Sequence, residues 1–105
     1  MKAVIDIGTN SVRFLRQVDG KLKEDVYSTR LGEDTHLDGM IKPQAYERTL
    51  FALKTALSEL ETDDILITAT SALREAKNRE AVLARFYEDL GREVTLLSGE
   101  DEARV

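Results

Sequence analysis

Residues 3–7, Ala-Val-Ile-Asp-Ile, form a short apolar run of mainly β-branched residues that closes on Gly8. A run of this kind predicts a buried central strand. Its one carboxylate, Asp6, is costly to bury without a partner, which draws attention to the end of that strand. The rest of the chain reads around it. Residues 12–18 predict a second strand that ends at Asp19-Gly20, a dipeptide suited to a hairpin turn because glycine tolerates positive φ. A third strand is expected over roughly 21–31, and residues 32–42, with two glycines and several Asp and Thr, read as loop. Pro43 suits the first turn of a helix, and Tyr46, Leu50, Leu53, Leu57 and Leu60 recur at helical spacing on one face. Residues 64–70 read as another buried strand. A helix follows, with Asn78 as N-cap, Leu83, Phe86, Tyr87 and Leu90 on one face, and Gly91 as its stop. Residues 93–97 predict a last short strand, and Ser98-Gly99 opens a further helix that is cut short at Val105. The order β-β-β-α-β-α-β implies a mixed five-stranded α/β sheet, a hairpin meander followed by parallel crossovers.

The 105 residues fit one domain. A net charge of −5 argues against sequence-independent nucleic-acid binding, which needs a basic face. It also means that a polyanionic ligand needs a local basic cluster or a metal ion. The chain has no cysteine and a single histidine, His36, which excludes thiolate chemistry and argues against zinc. His36 reads as a loop residue. The first residues do not resemble a signal peptide, and no apolar run reaches membrane-spanning length, so a cytoplasmic protein without a membrane partner is expected.

The strands at 3–7, 64–70 and 93–97 are the expected parallel set. Ligands of open α/β sheets bind beyond the carboxyl ends of such strands, and three polar segments lie there: Asp6–Ser11, Thr70–Asn78 and Ser98–Arg104. In the first, a carboxylate at a strand end suits hydrated Mg²⁺. Gly8 permits a sharp turn and a close approach by phosphate. The backbone N–H groups with Thr9, Asn10 and Ser11 suit an anion cradle; the plainer alternative is a polar turn. In the second, hydroxyls stand where a helix would begin, and Arg74 offers a bidentate pair to phosphate. Arg74, Lys77 and Arg79 supply positive charge that the chain as a whole lacks, although for this segment alone a solvated helix face, with Glu75 and Glu80 offsetting the bases, is the favoured explanation. In the third, Ser98 and Asp101 resemble a capping box and the acids suit a helix dipole. One of those carboxylates facing the cleft would serve as general base for water.

The stretches "AVIDIGTNSVRFL", "TATSALREAKNRE" and "LSGEDEARV" are similar, in order and spacing, to three blocks of the exopolyphosphatase and guanosine pentaphosphatase (Ppx/GppA) family. The resemblance runs from Lys2 to Val105. It implies a ribonuclease H-like, actin-type ATPase domain, and hydrolysis of a terminal phosphate from polyphosphate or guanosine pentaphosphate with Mg²⁺. By the same resemblance, Asp6 would position the metal, Gly8, Asn10 and Ser11 would line the first phosphate loop, and Arg74 would contact substrate phosphate. Glu102, just before Ala-Arg, would be the catalytic base. The family's usual Glu at position 101 is Asp here, which keeps the charge. Family members continue into a second domain with an Asp-x-Gly-Gly-Gly-Ser phosphate loop, which this sequence lacks. The expectation is therefore that residues 1–105 are the N-terminal domain of a two-domain or larger phosphohydrolase, with negligible turnover alone. A homodimer through apolar surface near 98–105 is a further expectation. Two other readings stay open at this point: an actin-like kinase or ATPase with a small acceptor, and a non-catalytic phosphate-loop interaction module.

Overall fold

The computed structural model describes residues 2–60, 62 and 64–97. Five strands follow the expected order: β1 (Ala3–Ile7), β2 (Ser11–Val18), β3 (Lys21–Ser28), β4 (Ile65–Ala69) and β5 (Thr95–Leu96). They form one sheet in the spatial order β3-β2-β1-β4-β5. The hairpin strands pair antiparallel, and β4 lies parallel to both β1 and β5. The central strand is the one the sequence marked, with the antiparallel meander on one side and the crossover strands on the other.

The turn after β2 forms at Asp19 and Gly20, both in the left-handed region (φ 53° and 78°), as a two-residue hairpin joining twisted strands requires. The third strand ends at Ser28 rather than near 31. Thr29 and Arg30 leave the sheet and donate their N–H groups to Asn10 O instead.

Among the described residues four helices accompany the sheet: α1 (Thr35–Asp38), α2 (Pro43–Ser58), α3 (Ser71–Glu75) and α4 (Arg79–Leu90). Pro43 is the first residue of α2, and Gly91 (φ 67°) ends α4 with its N–H on Tyr87 O. The single turn α1 falls in the expected loop. It buries no side chain, so no apolar periodicity betrays it; Asp34 and Gly39, both with positive φ, bound it. Asn78 stands at the N-cap position of α4 but makes no capping bond there. Its amide turns to the backbone of Ile41 instead, accepting from the N–H at 3.0 Å and donating to the carbonyl at 3.1 Å. One side chain thus satisfies two loop groups that would otherwise be stranded.

The core lies on one face of the sheet. Ala3, Ile5 and Ile7 of β1, Val12 and Phe14 of β2 and Ile67 of β4 meet Leu50, Leu53 and Ala56 of α2 and Val82 and Phe86 of α4. Leu57, Leu60, Leu83 and Leu90 are packed at its margin, whereas Tyr87, expected on the apolar face, is exposed. Tyr46 and Phe86 join α2 to α4 with ring centroids 4.6 Å apart. Because side chains alternate along β1, Val4 and Asp6 point to the opposite face. No helix among the described residues is long and apolar enough to cross a membrane.

Candidate active site

The link between β1 and β2 is a tight turn in which Gly8 N–H donates to Ser11 O at 2.8 Å. A Cβ on Gly8 would lie 3.1 Å from that carbonyl. Close approach, not a left-handed backbone, is therefore what the glycine supplies.

The turn is stitched to its surroundings on two sides. Thr70 N–H donates to Ile7 O at 3.2 Å, and the hydroxyls of Thr9 and Ser71 are hydrogen-bonded at 3.1 Å. Across the hairpin, Asn10 O accepts from Thr29 N–H and Arg30 N–H, and Thr9 O accepts from Gly32 N–H at 3.0 Å. Gly32 packs so close that an added Cβ would stand 2.6 Å from Thr9 Cγ2.

Arg48 of α2 braces the outer layer. Its guanidinium donates to Thr29 O at 3.0 Å and to Arg30 O at 3.3 Å, and pairs with Glu33 at 2.8 Å. Arg30 itself has φ 50°, a conformation that a non-glycine residue adopts only when its neighbours hold it there.

Asp6 lies on the open face of the sheet, one residue before β1 ends. Directly opposite it on β4, Thr68 donates its hydroxyl to Asp6 Oδ1 at 3.0 Å. The two line a groove of about 480 Å³ with Arg13, Thr70 and Leu97, among apolar residues Val4, Leu15 and Leu66. Arg13 is the partner of Asp6 across β2 but pairs with Glu24 at 2.9 Å. That hydrogen bond, with the carboxylate charge, pushes the guanidinium pKa up, so Arg13 stays a fixed cation at the groove's rim.

Arg74 stands at the end of α3. Its guanidinium donates to Leu97 O at 3.1 Å. Arg74 and Arg79 line a hollow of about 300 Å³ with Leu96 and Leu97, and Leu97 also borders the Asp6 groove. Arg79 is held there by its bond to Arg74 O at 2.9 Å. Lys77, expected in the same basic cluster, turns away and lays its methylenes near Gly39. The helix that Thr70 and Ser71 open has only five residues, too short for the anion-binding N-terminus that the hydroxyls suggested.

Asp6, the hairpin Gly8-Thr9-Asn10-Ser11 and Arg74 are thus gathered at the carboxyl ends of β1, β4 and β5. The segment Ser98–Arg104, with Glu102, lies outside the described residues. Sequence reasoning missed Thr68 and Gly32, which act directly on Asp6 and Thr9, and Arg48, which reaches the loop through Thr29 and Arg30. It also read His36 as a plain loop residue. The structure puts His36 with Glu75 on a hollow of about 320 Å³ whose lining includes the Thr9–Ser71 pair.

No group of three or more His, Asp or Glu side chains able to hold a metal occurs among the described residues. One half-buried carboxylate braced by a hydroxyl is nonetheless a donor that suits Mg²⁺, an ion that keeps several waters and takes one or two carboxylates from a protein.

A five-stranded mixed sheet whose first hairpin turns beside the ends of its parallel strands is an actin-like ATPase domain of the ribonuclease H type. The crystal structure of the Aquifex aeolicus member of the Ppx/GppA protein family matches it with a TM-score of 0.81 at 34% identity, over 97% of this chain and 36% of that one. The model of the Ppx/GppA phosphatase family matches residues 15–105. A guanosine-5'-triphosphate,3'-diphosphate pyrophosphatase of Pseudoalteromonas translucida is 34% identical over 98% of this chain and 22% of its own length. Exopolyphosphatase 1 of Mycobacterium bovis is 32% identical over 97% of this chain and 32% of its own. The chain belongs to the Ppx/GppA phosphatase family, and it spans about a third or less of the length of these relatives.

Proposed function

We propose that this chain forms one wall of a cleft that hydrolyses the terminal phosphate of inorganic polyphosphate or of guanosine pentaphosphate. The observation that carries the reading is the hairpin Gly8–Ser11, tied to Thr70 and Ser71 and placed beside Asp6. Backbone N–H groups of the turn other than that of Gly8, which is held by Ser11 O, cradle phosphate oxygens together with the side chains of Thr9, Asn10 and Ser11. Asp6, oriented by Thr68, holds Mg²⁺, which when bound offsets charge on the phosphates. Arg74 contacts the terminal phosphate as a planar donor. Glu102 accepts the proton of a water as its oxygen bonds to the terminal phosphorus, and the bond from that phosphorus to the rest of the substrate breaks. Such chemistry depends on positioning and charge stabilisation from both sides of the substrate. This wall alone binds without appreciable turnover, and a second domain carrying another phosphate loop completes the cleft.

Two measurements test the reading. Calorimetric titration of the chain with tripolyphosphate is expected to show binding that requires Mg²⁺ and is lost in Asp6→Asn. Binding equal with and without Mg²⁺ and in that variant would remove Asp6 from the site. In a protein that carries both phosphate loops, Glu102→Gln is expected to lower phosphate release by a factor of roughly 10²–10⁴ with little change in substrate binding. An unchanged rate would exclude Glu102 as the base.

A further inference from the structure

The outer strand of the meander, β3, is the edge of the sheet, and its side chains carry an unusual pattern. Leu22 and Val26 lie on the open face and are 73% and 56% exposed. Lys23 and Asp25 lie on the other face. Asp25 pairs with Arg16 at 2.8 Å, whereas Lys23 stands directly opposite Arg16 in the β2–β3 register and has no carboxylate partner among the described residues. An edge with unpaired backbone groups and two exposed apolar side chains is a template for another strand, and Lys23, set opposite Arg16, is a cation that a carboxylate on such a strand would match.

A second copy of the same strand, laid antiparallel along this edge, repairs the pattern in one register only. Antiparallel pairing brings together residues whose backbone groups point the same way, so the two residue numbers in each pair must sum to an even value. A sum of 46 sets Lys23 against Lys23 and Leu22 against Glu24. A sum of 50 sets Asp25 against Asp25 and Glu24 against Val26. A sum of 48 sets Leu22 against Val26, Lys23 against Asp25 and Lys21 against Tyr27, each twice by symmetry. Only Glu24 meets its own copy on the axis, and each Glu24 is already held by Arg13 of its own chain at 2.9 Å. Apolar and opposite-charge pairs across strands are favourable, and like charges directly opposite are not.

We propose that two copies of this chain associate through β3, in this register, to make a continuous ten-stranded sheet with its two-fold axis at Glu24. The pairing edge is the outer strand of the meander, two strands from β1, which carries Asp6.

The chain has no cysteine, which makes single-cysteine crosslinking a direct test. Residues facing each other across an antiparallel pair have Cα atoms about 4.5–5.5 Å apart, within disulfide range. Glu24→Cys is expected to form an intermolecular disulfide under mild oxidation. Lys23→Cys and Asp25→Cys report the two slipped registers and are expected to stay monomeric. So is Leu22→Cys, whose copies stand four residues apart, on the order of 13 Å. In sedimentation equilibrium without oxidant, Lys23→Glu is expected to weaken the dimer by roughly tenfold, because it sets two carboxylates together at each site. The same substitution gives Arg16 an acid opposite it, so the circular dichroism spectrum and melting point of the monomer should hold. A wild-type chain that sediments as monomer up to roughly millimolar concentration would overturn the proposal. So would crosslinking through position 23 or 25 in place of 24.

Discussion

Thr68 and Asp6 face each other across two parallel strands, and the threonine hydroxyl donates to Asp6 Oδ1 at 3.0 Å. Thr68 is buried and Asp6 is half-buried. The hydroxyl fixes which way the carboxylate points. It also provides a charge-assisted hydrogen bond in a groove whose other lining is mostly valine and leucine, with Arg13 and Thr70. A carboxylate near the open end of a central strand is thereby both tolerated and aimed.

Replacing Thr68 by Val keeps the shape and removes the donor. We expect this to cost about 1–2 kcal/mol of stability, toward the lower end for a bond to a charged group because the groove admits water. Urea unfolding reads that loss. The same variant should weaken Mg²⁺-dependent tripolyphosphate binding several-fold, since Asp6 remains but is free to rotate. Unaltered binding would show that the hydroxyl serves stability alone.

Arg48 lies on a helix that contributes no residue to the phosphate loop, yet it binds the two carbonyls of Thr29 and Arg30 whose N–H groups hold Asn10 O. Arg48→Met preserves the packing of the stem and removes the guanidinium. Amide exchange at Thr29, Arg30 and Gly32 is expected to quicken, with helix α2 retaining its protection. A loss of roughly 1–3 kcal/mol in stability should accompany it, since two carbonyls lose their donor. Exchange that quickens evenly over the whole chain would mean that Arg48 supports the fold generally.

Gly32→Ala tests the contact from the other side. The new methyl would stand 2.6 Å from Thr9 Cγ2, and the threonine's branched side chain has little room to move. Overpacking of this kind costs about 1–3 kcal/mol. Displacement of Thr9 is expected to break its hydrogen bond to Ser71, seen as altered amide shifts at both residues. Gly20→Ala has nothing within 4 Å of the new methyl, so it should cost only the strain of its positive φ and leave those shifts unchanged.

The parts of this arrangement that could be read from sequence are those set by a local backbone demand. Asp19-Gly20 needs two left-handed residues, Pro43 fits the first helical turn, and Gly91 ends a helix; each leaves a mark within one or two residues. The apolar run of β1 and the stripe of α2 are equally local. Thr68 leaves no such mark, because its role exists only once β1 and β4 adopt their parallel register. Asn78 looked like a helix cap because the residues beside it suit one. The loop backbone that claims its amide lies 37 positions away. Lys77 and Arg79 are two residues apart and point to different places because Ala76, in extended conformation, breaks the helix before them. Asp6, Gly8–Ser11 and Arg74 could be placed at one rim from the sequence because the strand order, readable from the alternation of elements, brings the carboxyl ends of β1 and β4 side by side.

The tyrosine at the α2–α4 contact gives a pH dependence. Burial, then the hydrogen bond from its hydroxyl to Asp89 at 2.6 Å, push the Tyr46 pKa well above the ordinary tyrosine value of 10.0. The neutral phenol is therefore favoured in the folded state. Its contribution is complete below pH 10, where the unfolded chain is also neutral, and declines as pH rises through the folded pKa. Tyr46→Phe removes the group that titrates, so stability should fall less steeply above pH 10 in the variant, measured by urea unfolding at several alkaline pH values. Its alkaline absorbance titration should also lose its latest step. Parallel stability curves for the two proteins would rule out Tyr46 as the source of the slope.

Arg74 carries the sharpest distinction between charge and shape. Its guanidinium donates to Leu97 O while lining the hollow it shares with Arg79, so one planar group serves the last described residue after β5 and the proposed phosphate position together. Lysine preserves the charge but carries all its donors on one nitrogen, without the planar fork whose separate nitrogens span Leu97 O and a phosphate. Arg74→Lys is therefore expected to lower tripolyphosphate affinity by about tenfold, close to the lower end of the roughly 1.5–3 kcal/mol of a hydrogen bond to a charged group. The salt dependence of binding should be retained, because the count of positive charges is unchanged. Arg74→Gln should lower the affinity further and flatten the salt dependence. If lysine restores wild-type affinity, Arg74 acts through charge alone and its fork is not used on phosphate. If glutamine binds as well as arginine, Arg74 belongs to the fold and the phosphate contact lies elsewhere.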